Sequence, residues 1–179
     1  VPRSEISKIL SHKIKSKDKA RIIATISRLN TLYMIAKAGS GHVGSSFSSL
    51  DIVSWIMLNE LEAKHIGKSL NGGIYFSSKG HDVPGYYSVL IGLGLIEEEK
   101  LNELRRLNGL PGHPDVSTLG IEVNSGSLGM GISKAKGMVK ANRLNKEHEN
   151  IFVLCGDGEL QEGQIWESLQ SAANQSTMK

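Results

Sequence analysis

The sequence predicts an α/β fold with a mostly parallel sheet flanked by helices. Two observations carry that prediction. Segments whose apolar residues recur at helical spacing alternate with short apolar runs, "GGIYFSS" (72–78) and "IFVLC" (151–155). Each run is followed by a turn containing glycine and then by a further helical pattern, and the chain shows no internal repeat and no low-complexity linker.

Taken in order, residues 1–17 read as a basic N-terminal helix or extension. Lys13, Lys15, Lys17 and Lys19 are interleaved with few aromatics, which fits a solvated face better than an RNA or membrane patch. Residues 18–38 form an amphipathic helix in which Ile22, Ile26, Leu29 and Tyr33 recur at helical spacing, ending at Gly39. "AGSGHVGSSFSS" (38–49) reads as a glycine/serine loop, after which Ser48 and Asp51 form a capping box for a helix through Trp55 to about Asn59.

The run 72–78 is a short buried strand. "KGHDVPGYYSVLIGLGL" is a turn and then a helix, with Pro84 tolerated in the first turn. Leu101, Leu104 and Leu107 mark another short helix, and 108–122 is loop. Leu128, Ile132, Ala135 and Val139 define a helix to about Leu144. The charged turn "NKEHEN" then leads into the strand Ile151–Cys155. The last segment, "SLQSAANQSTMK", is a helix running into a polar turn, where an α/β unit next supplies a parallel strand.

A chain of 179 residues suits one domain with a real core, or a large piece of one. Its 21 basic against 18 acidic residues leave a net charge of +3, too small to argue for nucleic acid. The single Cys155 excludes an internal disulfide and a cysteine-rich zinc site. No apolar run approaches the roughly 20 residues needed to cross a bilayer. "VPRSEISKIL" lacks the apolar core of a signal peptide, so a cytoplasmic, reducing setting is the default. Twenty glycines point to tight turns and close backbone approaches.

Chemistry concentrates in three kinds of stretch. In "CGDGELQEG", Asp157 lies at the carboxyl end of a strand, where ligand sites of open α/β sheets are found. Gly156 and Gly158 allow a backbone other residues resist, leaving an N–H open to an anion, and one carboxylate there suits Mg²⁺ or Ca²⁺. The alternative is an Asp-Gly turn capping the next helix. His42, His81 and His113 each follow a glycine in a loop beside a helix, where imidazole can move protons near neutral pH; a structural role is the plainer reading of each alone. Their spacing does not suit zinc. "NSGSLGMGIS" (124–133) either offers backbone N–H groups to a phosphate or polar ring, or packs a helix closely through Gly129 and Gly131. It is neither a Walker loop nor a dinucleotide fingerprint.

"AGSGHVGSSFSSLDIV", "SSKGHDVPGYYSVL", "LPGHPD", "GIEVNSGSLGMGIS" and "GDGELQEGQIWE", in that order over about residues 20–174, resemble the diphosphate-binding domain of transketolases. Their wording is similar to the N-terminal subunits of split transketolases. The resemblance implies a thiamine-diphosphate-binding fold, incomplete here, with 18–179 a partial diphosphate-binding domain. It implies Asp157 as ligand of the divalent metal, Gly156 and Gly158 at the diphosphate, and Gly126, Ser127 and Leu128 against the cofactor's rings. His81 is expected near the diphosphate, His42 and His113 at the ketose donor moving protons, and Glu162 in an acidic network between subunits.

The implied reaction moves a two-carbon ketol unit from a ketose, usually phosphorylated, to an aldose. A deoxyxylulose-phosphate synthase, a dihydroxyacetone synthase or a non-catalytic interaction module are the alternatives. The family's second metal ligand, an asparagine, stands roughly 25–30 residues beyond the aspartate, whereas 22 residues follow Asp157. The pyrimidine-binding domain is absent as well. A second subunit or further C-terminal part is therefore expected as partner, in a homodimer or α2β2 assembly, and the chain alone is expected to be inactive. Glu159 stands where many relatives carry a small or apolar residue.

Overall fold

A computed structural model describes residues 1–61, 72–146 and 149–175. The long connection between the two apolar runs allows them to pair side by side in the same direction. They form β1 (Gly73–Ser77) and β2 (Asn150–Leu154), a parallel pair in continuous register from Gly73↔Asn150 to Ser77↔Leu154. Side chains alternate between faces. Tyr75, Phe152 and Leu154 join the main core, whereas Val153 turns the other way, toward the first residue of a later helix.

The main core is built by α1 (Arg3–Ser11), α2 (Ser16–Ala38), α3 (Val43–Trp55) and α4 (Val83–Gly92). All ten residues of α4 are buried, which makes it the central helix, and Pro84 stands in its first turn as expected. α1 seals one end through Ile6. The other face of the sheet carries α5 (Gly131–Leu144), joined by α6 (Gly163–Ala173). The fold is thus α/β, as predicted.

Three expectations about the elements need correction. α2 forms and ends at Gly39 in the left-handed region (φ 68°), but its core face is Ala20, Ile23, Ala24, Ser27, Asn30, Thr31, Met34 and Ile35. Ile22, Leu29 and Tyr33 point outward. Small residues let α2 approach α4, where Ser88 Oγ donates to the Ser27 carbonyl at 2.9 Å. Of the four expected positions only Ile26 packs partly against the core, and the large apolar residues of the buried face are Ile23, Met34 and Ile35.

The Ser48–Asp51 capping box does not form. α3 begins six residues earlier, at Val43, with His42 as its N-cap, and Ser48 donates within the helix to the Ser45 carbonyl, while Asp51 pairs with Arg28 of α2. Ser46 and Ser49 are buried, and Gly85 of α4 approaches Ser46 so closely that an added methyl would lie 3.1 Å from it. The serine run is a helix–helix contact rather than a loop. α3 then continues through a π-helical turn, Ile56–Glu60.

The helix marked by Leu101, Leu104 and Leu107 is a 3₁₀ turn over Glu98–Asn102. Arg105 and Asn108 adopt left-handed backbone (φ 55° and 61°) that stops a helix, Leu104 bridges to Leu110, and Leu107 is 94% exposed. The loop 108–122 is irregular as expected. The charged turn before β2 falls partly on residues 147–148, and the final polar turn partly on 176–179, outside the described residues.

Candidate functional site

Parallel pairing brings the carboxyl ends of β1 and β2 together. The Ser78 N–H continues the ladder to the Leu154 carbonyl at 2.8 Å, after which both chains leave the sheet. Lys79 and Gly156 are then neighbours: a methyl on Gly156 would lie 3.4 Å from Lys79 Cδ. Between these turns opens a cleft of about 370 Å³. The first turns of α3 give it Gly44, Ser45 and Ser48. The β1 turn gives Lys79 and His81, the glycine loop gives Leu128, and Gly156 to Glu159 complete it. A larger hollow, about 550 Å³, lies around Ile96, Leu110 and Leu119 and holds none of the predicted site residues.

Asp157 is exposed, and its carboxylate makes no hydrogen bond or ion pair among the described residues. The turn after it (Glu159–Gln161) and α6 both start without a side-chain cap. The helix-cap alternative is therefore excluded. One expectation about its flanking glycines is also overturned: neither Gly156 nor Gly158 has a positive φ, and Gly158 is ordinary right-handed backbone (φ −64°). What they contribute is bareness. Nothing lies within 4 Å of a methyl placed on Gly158.

The three histidines do converge. His42 and His81 meet edge to face with ring centroids 5.0 Å apart. His81 Nδ1 lies 2.9 Å from the Lys79 carbonyl, which can only accept, so Nδ1 carries the proton and Nε2 is the free nitrogen. The ring of His113 fills the space a side chain on Gly126 would need: a methyl there would stand 2.6 Å from His113 Cδ2. Gly126 has φ 123°, and its backbone in turn lies against Gly80. Burial, then the charges of Arg105, His81 and His42, hold His113 below the usual histidine range. Tyr87, its phenol pushed up to about 12 by burial, donates to the His113 carbonyl at 3.4 Å.

The glycine loop resolves in favour of packing at two positions. Gly129 N–H donates to Glu159 Oε1 (2.9 Å) and Gly131 N–H to Ser78 Oγ (3.0 Å), so neither is free for a ligand. Leu128 lines the cleft, Gly126 lies against the His113 ring, and Ser127 between them is exposed. Glu162 stands away from the cleft, exposed at the start of α6, beside Gly129.

Three residues escape a reading of the sequence, and a fourth, Glu159, has no role there. Lys79 is 6% exposed, donates to the Ser45 carbonyl (3.1 Å) and stands 3.6 Å from Asp82 Oδ2. Asp82 is 1% exposed and otherwise unpartnered. Ser45 Oγ is buried with no partner. Glu159, 3% exposed, accepts from Gly129, Ser78 and Gly156. Lys79 and Asp82 lie inside "SKGHD", where the histidine draws attention; Ser45 and Glu159 carry no local signal of their burial. No group of three or more His, Cys, Asp or Glu that could hold a metal occurs among the described residues.

Comparisons with known proteins agree on one family. Residues 18–179 match the family described as transketolase, thiamine diphosphate binding domain. The chain is 37% identical over 153 residues to the 6-deoxy-6-sulfo-D-fructose transketolase subunit SqwG of Clostridium sp. (strain MSTE9), covering 83% of this chain and 55% of that protein. It is 34% identical over 151 residues to an apulose-4-phosphate transketolase subunit of Phocaeicola vulgatus, covering 83% and 53%. Human transketolase is 32% identical over 149 residues, 82% of this chain and 24% of that one. The crystal structure of transketolase from Campylobacter jejuni superposes with a TM-score of 0.73 at 34% identity, over 90% of this chain and 26% of that one. The chain therefore spans about half the length of the subunit relatives and about a quarter of the single-chain enzymes. By motif, fold and family match, it belongs to the transketolases, as their thiamine-diphosphate-binding domain.

Proposed function

We propose that this chain supplies the diphosphate-binding half of a thiamine-diphosphate-dependent transketolase, acting on ketose and aldose phosphates. The single observation that carries the reading is Asp157: an exposed carboxylate at the carboxyl end of a parallel strand that caps nothing and opens on a cleft. The cleft fits a diphosphate held with a divalent cation. Lys79 brings positive charge to its wall, Ser45 brings an unpartnered hydroxyl, and Gly156 and Gly158 leave the floor bare.

In this reading Asp157 ligates Mg²⁺ (or Ca²⁺), and Gly156 and Gly158 approach the diphosphate through their backbone. His81 stands beside it, and Gly126, Ser127 and Leu128 face the rings. His42 and His113 hold the ketose hydroxyls and move protons, and a His113 held neutral at pH 7 is suited to accept one. Glu162, exposed at the start of α6, reaches a neighbouring subunit's acids. Thiamine diphosphate, when bound, would supply the electron-withdrawing ring that makes two-carbon transfer possible, while the protein orients it and shuttles protons.

Two relatives are named as subunits, which supports a partner bearing the pyrimidine-binding domain, in a homodimer or α2β2 assembly. The chain alone does not turn over. No described helix is long and apolar enough to cross a membrane, and we place the protein in the cytoplasm. Calorimetric titration with thiamine diphosphate and Mg²⁺ tests the reading. Binding is expected to be weaker than micromolar for the chain alone, tightened by the partner, and lost in Asp157→Ala. Micromolar binding by the chain alone overturns the need for a partner, and binding indifferent to Asp157 overturns the site.

A further inference from the structure

Glu159 stands two residues beyond Asp157, yet its carboxylate turns away from the exposed side and into the protein. Three donors converge on it, from three separate stretches of chain. Gly129 N–H reaches Oε1 at 2.9 Å, the Ser78 hydroxyl donates to the same oxygen, and Gly156 N–H reaches Oε2 at 3.0 Å. Ser78 Oγ in turn accepts the Gly131 N–H at 3.0 Å. Ser78 directly follows β1, Gly156 begins the turn carrying Asp157, and Gly129 and Gly131 close the loop carrying Gly126–Leu128. The two loops have no other hydrogen bond to one another among the described residues.

We infer that Glu159 is a positioning residue that clamps the Asp157 turn to the Gly126–Leu128 loop, so that the cation side and the ring side of the cradle are held as one unit. The clamp itself follows from the hydrogen bonds; its consequence for the cofactor rests on the reading proposed above. The residue type is dictated by chemistry. Three donors and no acceptors face the side chain, and only an ionised carboxylate accepts at both ends. A glutamine of the same size turns an NH₂ group against an N–H or a hydroxyl hydrogen. With its oxygens taken by protein donors, Glu159 is no substitute metal ligand.

The test is NMR on the whole chain, with amide exchange and a titration with Mg²⁺ and thiamine diphosphate followed at Gly158. In Glu159→Gln, exchange at Gly129 and Gly156 is expected to quicken about tenfold, while core amides of α4 are unchanged. Cofactor affinity is expected to fall about tenfold, the scale of lost support behind a ligand. Wild-type exchange rates in the variant overturn the clamp, and faster exchange with unchanged affinity overturns the positioning role. If the wild-type chain with its partner shows no cofactor binding, the functional reading fails while exchange still decides the clamp. Should the glutamine variant not fold, Glu159→Asp keeps the acceptors on a stem one methylene shorter. It is expected to lose protection at Gly129 or Gly156, and retention at both overturns the clamp.

Discussion

Asp82 holds a carboxylate oxygen 3.6 Å from the ammonium of Lys79, and both side chains are nearly sealed from solvent. The lysine's other bond, to the Ser45 carbonyl, aims it along the wall of the cleft. A buried cation so close to the floor that carries Asp157 can only be kept there by a buried anion behind it.

Removing that anion is therefore expected to cost more than its solvent-exposed equivalent. Asp82→Ala leaves Lys79 buried and uncompensated, and should destabilise the fold by about 3–5 kcal/mol. The exposed pair Lys8–Glu5 makes the control, expected to change stability by less than about 1 kcal/mol. Urea denaturation of the two variants against wild type checks the contrast.

Asp157 should behave in the opposite way. Its carboxylate supports no cap and no ion pair, so Asp157→Ala is expected to alter stability by no more than about 0.5 kcal/mol. Cation-dependent binding of thiamine diphosphate should nevertheless vanish. Denaturation and calorimetry on one variant separate a ligand role from a structural one.

The site's glycines divide along the same line. Gly126→Ala meets both a positive φ and the His113 ring, and should lose well over about 1 kcal/mol. Gly158→Ala has open space and a helical φ, and is expected to gain roughly 0.4–1 kcal/mol by restricting the unfolded chain. If the cleft takes a diphosphate, that added methyl weakens its binding as it stabilises the protein. Melting curves with and without cofactor read both effects.

His113 makes stability depend on pH in a definite sense. Its folded-state pKa is lowered, so below the ordinary histidine value of about 6.5 the unfolded chain takes up the proton more readily. Stability is thus lost as pH falls through that value toward the depressed one, and is fully present above it. A His113→Asn variant should show a shallower loss between neutral and acidic pH in denaturant titrations. The His113 ring protons should titrate below the usual range in NMR.

What was legible in the sequence was local. Both strands were visible because the apolar runs Ile74–Phe76 and Ile151–Cys155 each adjoined a glycine, and Asp157 and the three histidines because each sat in a short glycine motif. The core face of α2 was hidden because Ala20, Ser27, Asn30 and Thr31 are small or polar, and their burial reflects a close helix crossing that no single helix displays. The start of α3 was hidden because serines that read as loop are spacers between helices. The Glu159 clamp joins residues 30 and 81 positions apart, and no spacing rule within one segment reaches so far.

The register of β1 against β2 has a consequence for how this protein tolerates change. Lys79 and Asp157 share a cleft because five paired rungs set the strand ends level, not because of the length of chain between them. Insertions at the exposed tip around Leu107 would lengthen that chain and leave the two side chains where they are. A slip of one rung would carry Asp157 about 3.3 Å along the sheet and turn Val153 and Leu154 inside out. The sheet serves as the ruler of this site, and mutations that blur its graduations should be felt at Asp157 before they are felt in the fold.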